Sequence, residues 1–402
     1  MTHKSLFILG RQPQLGRAEL ESLFGPENLE PIGDQAMACT LPWEDIPFAR
    51  LGGSIRLAKP LAVFNTLEWR DIAHKLTKEL RGQLDSLPEG KIKLGLSVFG
   101  LEVRPPQLMA TGLELKKVCR QAGRSARLVP NTEAELSSAQ VLHNQLDGDL
   151  GMELLVIRSG NQVHVAQTKK VQDIEAYARR DQNRPKRDAR VGMLPPKLAQ
   201  IIVNLATAQL NPQFGGVVLD PFCGTGVILQ EATLMGFDVY GTDVEPRMIA
   251  YTDKNLLWLK DIAQNITVTS DDGRYYNLEV GDATTHHWNH AFAAIASETY
   301  LGRPFTSWPD SETLQNTISS CNTVIKKFLN NIANQMPAGT RLCLAVPMWK
   351  NPNDKNHSLP FLDHLLEMGY NRVSFEHIGA SELVYFRPGQ IVARELLVIT
   401  RK

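Results

Sequence analysis

Val217-Val-Leu-Asp-Pro-Phe-Cys-Gly-Thr-Gly226 is the stretch that decides the fold of the second half of the chain. An apolar, β-branched run ends at Asp220, two glycines follow, and Val227–Met235 then has helical composition. This is a strand running into a tight turn and a helix, the opening of a strand–helix repeat. Gly224 and Gly226 carry no Cβ, so their backbone amides can approach a ligand closely. Asp220 stands at the carboxyl end of the strand, where open α/β sheets bind ligands.

Working outward, Asp238–Thr242 reads as the next strand and delivers Asp243, nineteen positions beyond Gly224. An acid at that distance can accept hydrogen bonds from ribose hydroxyls. A third acid, Asp282 in Gly281-Asp-Ala-Thr284, follows the next expected strand and, with Ala283, is placed to meet an adenine amino group. A carboxylate at Asp220 pairs better with a cationic amino-acid head than with a pyrophosphate. The set Asp220, Phe222, Gly224, Thr225, Gly226, Asp243, Asp282 and Ala283 therefore favours S-adenosylmethionine over NAD.

The rest of this half keeps the alternation. A helix is expected over Lys197–Gln209 behind Leu194-Pro-Pro196, because proline suits a helix start. A second helix is expected over Arg247–Leu259 and a strand over Ala291–Ala296. A long helix follows at Glu312–Met336, with Leu314, Ile318, Cys321, Ile325, Phe328 and Ile332 on one face. A strand at Leu342–Val346, a helix at Leu359–Met368 and two strands around Arg387-Pro-Gly-Gln390 complete it. Strands alternating with helices give a parallel sheet covered on both faces, an α/β domain over 193–402.

With 402 residues the chain exceeds what one core usually serves, so further domains are expected. Residues 1–75 show strands at Ser5–Leu9 and Ile55–Val63 and a helical piece at Arg17–Phe24. Residues 76–170 show a strand at Ile92–Phe99, helical spacing at Leu113–Ala122, and a hairpin of Leu154–Ile157 with Gln162–Gln167. Residues 171–192 read as a basic linker, polar over Ala176–Arg190, with Pro185 opposing one unbroken helix.

Composition is that of a globular protein, 43% hydrophobic and 21% charged, without a membrane-length apolar run. The start, MTHKSLFILG, reads as a first strand and not as a secretory signal, so a cytoplasmic location is expected. Cys39, Cys119, Cys223, Cys321 and Cys343 form no C-x-x-C pair, which argues against a disulfide framework and a structural zinc. No metal is expected. His286, His287 and His290 match no common ligand spacing and read as a solvated loop. Cys223 has no neighbouring base, so small size explains it better than a nucleophile's role. Trp349 suits either a substrate mouth or the core.

Formal charge sums to zero, but it is unevenly spread. Arg104 to Arg127 holds six basic residues against one acid, Glu114. Lys116, Lys117, Arg120, Arg124 and Arg127 are the candidates for phosphate contact, weighed against a merely solvated charged face.

Asp220-Pro-Phe-Cys-Gly-Thr-Gly226 resembles the cofactor loop of amino-methylating RNA and DNA methyltransferases. Arg184-Pro185, Gly192-Met-Leu-Pro-Pro-Lys-Leu-Ala199 and Asn204-Leu-Ala206 resemble the segment entering the catalytic domain of THUMP-domain tRNA guanine-N2-methyltransferases. Tyr385-Phe-Arg-Pro-Gly-Gln-Ile-Val-Ala-Arg-Glu395 is similar to that family's terminal hairpin. The resemblance covers about residues 90–402 and is looser before them. It implies a Rossmann-like class I methyltransferase domain preceded by α+β ferredoxin-like and THUMP modules, which hold the acceptor end of tRNA. It further implies S-adenosylmethionine as cofactor, the N2 amine of guanosine 10 in tRNA as target, and Arg184 among the RNA-binding residues. A small activating partner protein is left open, with nothing in the sequence indicating one.

The family's catalytic loop reads Asp-Pro-Pro-Tyr, whose carboxylate and backbone carbonyl hold the target amine while the ring stacks on the base. The corresponding stretch here is Ala296-Ser-Glu-Thr-Tyr-Leu-Gly302. Tyr300 keeps the ring, Ser297 replaces the carboxylate, and Glu298 is the substitute acceptor. Ser297, Glu298 and Tyr300 are thus the expected catalytic residues. The competing readings are a catalytically impaired protein that still binds cofactor and RNA, and a DNA amino-methyltransferase.

Overall fold

The computed structural model describes residues 3–188, 194–208, 210–212, 215–262, 276–350 and 356–402. Gly192 and Met193 of the resemblance, the end of the expected linker from 189 onward, and Gln209 at an expected helix end lie outside them. The chain forms two compact units. One comprises residues up to Arg17, Gly25–Ala49 and Gly53–Ala176; the other comprises Ala18–Phe24, Arg50–Gly52 and Tyr177–Lys402.

The N-terminal elements are β1 (Ser5–Leu9), α1 (Pro13–Phe24), β2 (Leu29–Ile32), β3 (Ala36–Cys39), β4 (Ser54–Phe64) and α2 (Trp69–Gln83). There follow β5 (Ile92–Phe99), α3 (Pro105–Gln121), β6 (Ala126–Leu128), α4 (Ser138–His143), β7 (Gly151–Ser159) and β8 (Gln162–Val171). The eight strands make one sheet in the order β2-β3-β1-β4-β8-β7-β5-β6. The sheet continues across residue 75, where the sequence suggests a module boundary, because β4 pairs antiparallel with β8 from Arg56 to Phe64. The expected hairpin closes with Ser159 opposite Gln162, and Gly160 takes the left-handed conformation of the turn. One face is covered by Ile72, Leu76 and Leu80 of α2 and Leu108, Leu115 and Cys119 of α3, a single apolar cluster with β5, β7 and β8.

The described part of the expected linker, 171–188, contains a helix. α5 (Ile174–Gln182) buries Tyr177, and Arg180 forms an ion pair of 2.7 Å with buried Glu231. A polar helix with one aromatic anchor has too little apolar periodicity to be read from sequence.

The second unit continues with α6 (Pro196–Thr207), β9 (Val217–Asp220), α7 (Val227–Leu234), β10 (Asp238–Asp243), α8 (Pro246–Ile262) and β11 (Tyr276–Val280). It ends with β12 (Ala294–Glu298), α9 (Ser311–Ile332), β13 (Arg341–Lys350), β14 (Asn356–His357), β15 (Tyr370–Arg372), β16 (Val384–Tyr385) and β17 (Val392–Arg401). The main strand order is β11-β10-β9-β12-β13-β17-β15, with β14 on β13 and β16 on β17. The first five of these are mutually parallel, and β17 returns antiparallel to β13. All six apolar positions expected on α9 are buried. The α9 cap is Asp310, whose carboxylate accepts from Thr313 N at 2.7 Å.

Two expectations shift here. β12 runs to Glu298 instead of stopping at Ala296, because Ser297 and Glu298 pair with Leu344 and Ala345 of β13. The helix expected at Leu359–Met368 is a 3₁₀ turn, Pro360–His364. Its Phe361 amide is capped by Asn322 of α9 at 2.8 Å, and Phe361 and Leu365 reach the core without further helical turns. Trp349 is fully buried in the same core.

Asn204, in the segment carrying the resemblance, is wholly buried within the second unit. Its amide donates to Glu19 Oε1 and Arg50 O, both at 2.8 Å, and its carbonyl oxygen accepts from Arg50 Nε at 2.9 Å. Every hydrogen-bonding atom of that side chain is engaged, as a buried amide requires.

Candidate active site

Parallel pairing puts the carboxyl ends of β9, β10, β11 and β12 at one rim. Asp220 lies opposite Gly241, Asp243 opposite Val280, and Leu219 opposite Ile295. Strand order reverses between β9 and β12, and such a reversal opens a crevice above the strand ends. The crevice is a cavity of about 790 Å³. It is lined by Asp220, Phe222, Gly224, Thr225, Asp243, Asp282, Ala283, Glu298 and Tyr300 among others. Seven of the eight expected cofactor residues and two of the three expected catalytic residues thus share one space.

Gly226 does not line it. Its φ of 82° caps α7, and a Cβ there would come within 2.7 Å of Thr252 Cγ2. Its amide is already bonded to Cys223 O at 2.7 Å. The expectation that Gly226 lets a ligand approach is therefore corrected: it lets α8 approach the turn. Gly224 does border the cavity, with its amide donating to Asp243 Oδ2 at 2.9 Å.

The three acids differ in setting. Asp220 is almost wholly buried and accepts from Phe222 N at 3.2 Å and Ser297 Oγ at 2.6 Å. Burial pushes its carboxyl up to about 8, against those two hydrogen bonds and with the help of the nearby negative charges of Asp243 and Glu298. Asp243 is also raised by burial, while the Glu245 and Gly224 amides oppose the shift. Asp282 is exposed and accepts from Thr284 N and Oγ1.

Ser297 is fully buried, donates its hydroxyl hydrogen bond to Asp220 and does not line the cavity. Successive side chains of a strand point to opposite faces, so Ser297 and Glu298 cannot share one task. Placing Ser297 as acceptor for a target amine is corrected accordingly. Glu298 lines the cavity, and its Oε1 accepts from Arg394 Nε at 2.6 Å. Burial raises its carboxyl and Arg394 opposes the rise. Tyr300 is 44% exposed, an aromatic face left open at the cavity wall.

Sequence reading did not find Arg394 or Lys327, the latter an exposed lysine of α9 that borders the cavity. Val244 and Met248 add apolar wall and were also missed. The buried thiol of Cys223 is pushed well above its ordinary value by burial, which keeps it protonated and agrees with the packing reading. His286 meets the Trp288 ring edge-on and lies 3.2 Å from Glu279, and no cluster of three or more metal-binding side chains occurs among the described residues.

None of the basic candidates is among the residues that line this cavity. Lys117, Arg120 and Arg127 are exposed and Lys116 half-buried. Lys117 lies 3.7 Å from Glu114, both in solvent. Arg124 is corrected to a structural role: its guanidinium donates to the carbonyls of Leu84 at 3.1 Å, Leu87 at 3.3 Å and Pro88. Arg184 is only 4% exposed, with Asp181 and Glu231 as its nearby countercharges, so it offers no surface to RNA.

A family model described as DNA methylase (N6_N4_Mtase) matches residues 140–254. The tRNA (guanine(10)-N2)-dimethyltransferase of Methanothermobacter thermautotrophicus is 31% identical over 157 residues, 39% of this chain and 39% of that one. The enzyme of the same name from Pyrococcus abyssi is 35% identical over 126 residues, 30% of this chain and 32% of its own. The chain thus spans well under half the length of these curated relatives. The crystal structure of TrmN from Thermus thermophilus superposes with a TM-score of 0.53 over the whole of both chains at 16% identity. Over part of its length the chain is similar in sequence to the tRNA (guanine(10)-N2)-dimethyltransferases, and it shares its fold with TrmN.

Proposed function

We propose that the protein methylates the exocyclic N2 amine of a guanosine in tRNA, at the position its named relatives modify, using S-adenosylmethionine. The observation that carries this reading is the meeting of Asp220, Asp243, Glu298 and Tyr300 around one cavity at the strand-order reversal.

The residues present fit the cofactor. Burial first, and the nearby acids second, oppose ionisation of the Asp220 carboxyl, so the site gains most from a cationic ligand. Asp220 would hold the amino head, Asp243 the ribose, and Asp282 with Ala283 the adenine, while Phe222, Gly224 and Thr225 form the wall. When bound, the cofactor supplies an electrophilic methyl group on a sulfonium. Ser297 fixes the Asp220 carboxyl. Glu298 accepts an N–H of the target amine, which leaves the nitrogen lone pair free to form the new N–C bond. The surplus proton of the methylated amine would pass to Glu298. Tyr300 offers the ring on which the base stacks. The gain is mainly positional.

The N-terminal unit is assigned to RNA. A ferredoxin-like module at 1–75 and a THUMP-like module at 76–170 would grip tRNA, with Lys116, Lys117, Arg120 and Arg127 on its phosphates. The segment 171–192 would join them to the methyltransferase domain at 193–402.

The test is methyl incorporation from labelled cofactor into unmodified tRNA, followed by mass spectrometry of the nucleosides. N2-methylguanosine is expected. Transfer to duplex DNA instead would favour the amino-methylation of DNA suggested by the family model's description. Cofactor binding without transfer to any nucleic acid would favour the catalytically impaired reading, for which the replaced catalytic carboxylate speaks.

A further inference from the structure

Glu298 is held in a way that a mere amine acceptor does not need. It ends β12, its backbone is paired with Ala345 of β13, and its side chain is locked by Arg394 on β17. Arg394 is itself anchored between β13 and β16, opposite Pro347 and Tyr385. Both partners of the ion pair are largely buried, at 15% and 8% exposure. Burial raises this carboxyl, Arg394 opposes the rise by favouring the ionised form, and the ion pair holds the two oxygens in fixed directions. Arg394 Nε contacts Oε1, leaving Oε2 and a further lone pair of Oε1 for a ligand.

Two neighbouring acceptors with no donor are a pattern that distinguishes bases. Guanine presents N1–H and N2–H side by side. Adenine and cytosine present an amine beside a bare ring nitrogen, which would face a carboxylate oxygen lone pair to lone pair. We propose that Glu298, oriented by Arg394, is the specificity-determining residue for guanine, accepting N1–H together with N2–H, with Arg394 as its positioning residue. This rests on the reading of the cavity as an amine-methylating site and adds to it the basis for choosing the nucleobase. The in-plane hold leaves the face of the amine free for the incoming methyl group.

The decisive probe is 2-aminopurine, which keeps the N2 amine but has an unprotonated N1. Two tRNA transcripts are compared, one with guanosine and one with 2-aminopurine at the position the wild type methylates. The wild type should prefer guanosine by roughly 10- to 100-fold, the effect of one unmatched hydrogen bond to a charged group. Glu298→Gln offers one acceptor and one donor, so its preference should reverse toward 2-aminopurine. Arg394→Met should narrow the wild-type preference, and Arg394→Lys should restore most of it. Calorimetric cofactor binding checks that each variant is folded. Equal methylation of both transcripts by the wild type, or an unchanged preference in Glu298→Gln, overturns the inference while leaving the methyltransferase reading in place. Absence of transfer to the guanosine transcript overturns the reading itself.

Discussion

Ser297 Oγ donates a 2.6 Å hydrogen bond to Asp220 Oδ1, joining the ends of two parallel strands above the sheet. The serine that stands where the resemblance expects a catalytic carboxylate is thereby committed to the neighbouring acid. That acid carries a proton up to about pH 8 because burial outweighs its hydrogen bonds.

A cationic ligand favours ionised Asp220, so its affinity should climb with pH below about 8 and level off above it. The slope can reach at most about tenfold per pH unit for one released proton. Ser297→Ala removes a bond that stabilises the ionised form, so the climb should move to higher pH. Asp220→Asn should flatten it. Calorimetric dissociation constants for S-adenosylmethionine between pH 6 and 9 check this; an identical slope in Asp220→Asn would show that another group titrates.

The same carboxyl sets a stability trend in the free protein. Its folded value of about 8 exceeds the ordinary value of 3.8, so between them the folded state holds a proton that the unfolded state has released. Stability contributed by this group is therefore full below about pH 4 and falls as pH rises toward 8. Asp220→Asn cannot release that proton. Its melting temperature relative to wild type should rise from pH 5 to pH 8.5, and a constant difference would contradict the assignment.

How far the site could be read in advance follows from which groups are local. Asp220, Asp243 and Asp282 each sit at or just beyond a strand end, and strand ends of an α/β repeat are visible in the order of apolar runs and glycines. Arg394 is separated from Glu298 by 96 positions, and only the antiparallel return of β17 beside β13 unites them. Lys327 was hidden differently: helix periodicity revealed the buried face of α9, while the lysine lies on the face that pattern leaves undefined. β12 looked shorter than it is because Ser297 and Glu298 are polar, yet strand pairing with Leu344 and Ala345 costs nothing in polarity. Gly226 was read as a glycine of a binding turn, and its neighbour Thr252 comes from the following helix, which spacing alone does not locate.

Gly226→Ala should be destabilising for two separable reasons. The φ of 82° strains any residue with a Cβ, and Thr252 Cγ2 stands 2.7 Å from where that atom would be. A loss of about 1–3 kcal/mol is expected in urea unfolding. Adding Thr252→Ser removes the offending methyl and retains a hydroxyl for Gly224 O, so it should recover part of the loss. Wild-type stability in Gly226→Ala would mean that the turn relaxes freely.

The basic residues of the N-terminal unit should separate into two groups in one experiment. Lys117, Arg120 and Arg127 are exposed, whereas Arg124 spends its guanidinium on the carbonyls of Leu84, Leu87 and Pro88. If the exposed three contact tRNA phosphates, replacing each with alanine should weaken binding and reduce the slope of log affinity against log salt by about 0.7–0.9. Arg124→Ala leaves the half-buried carbonyls of Leu84 and Leu87 without their donor and should lower the melting temperature instead, with the salt slope unchanged at temperatures where the variant is folded. A salt slope altered by Arg124→Ala as much as by Arg120→Ala would return Arg124 to the RNA surface.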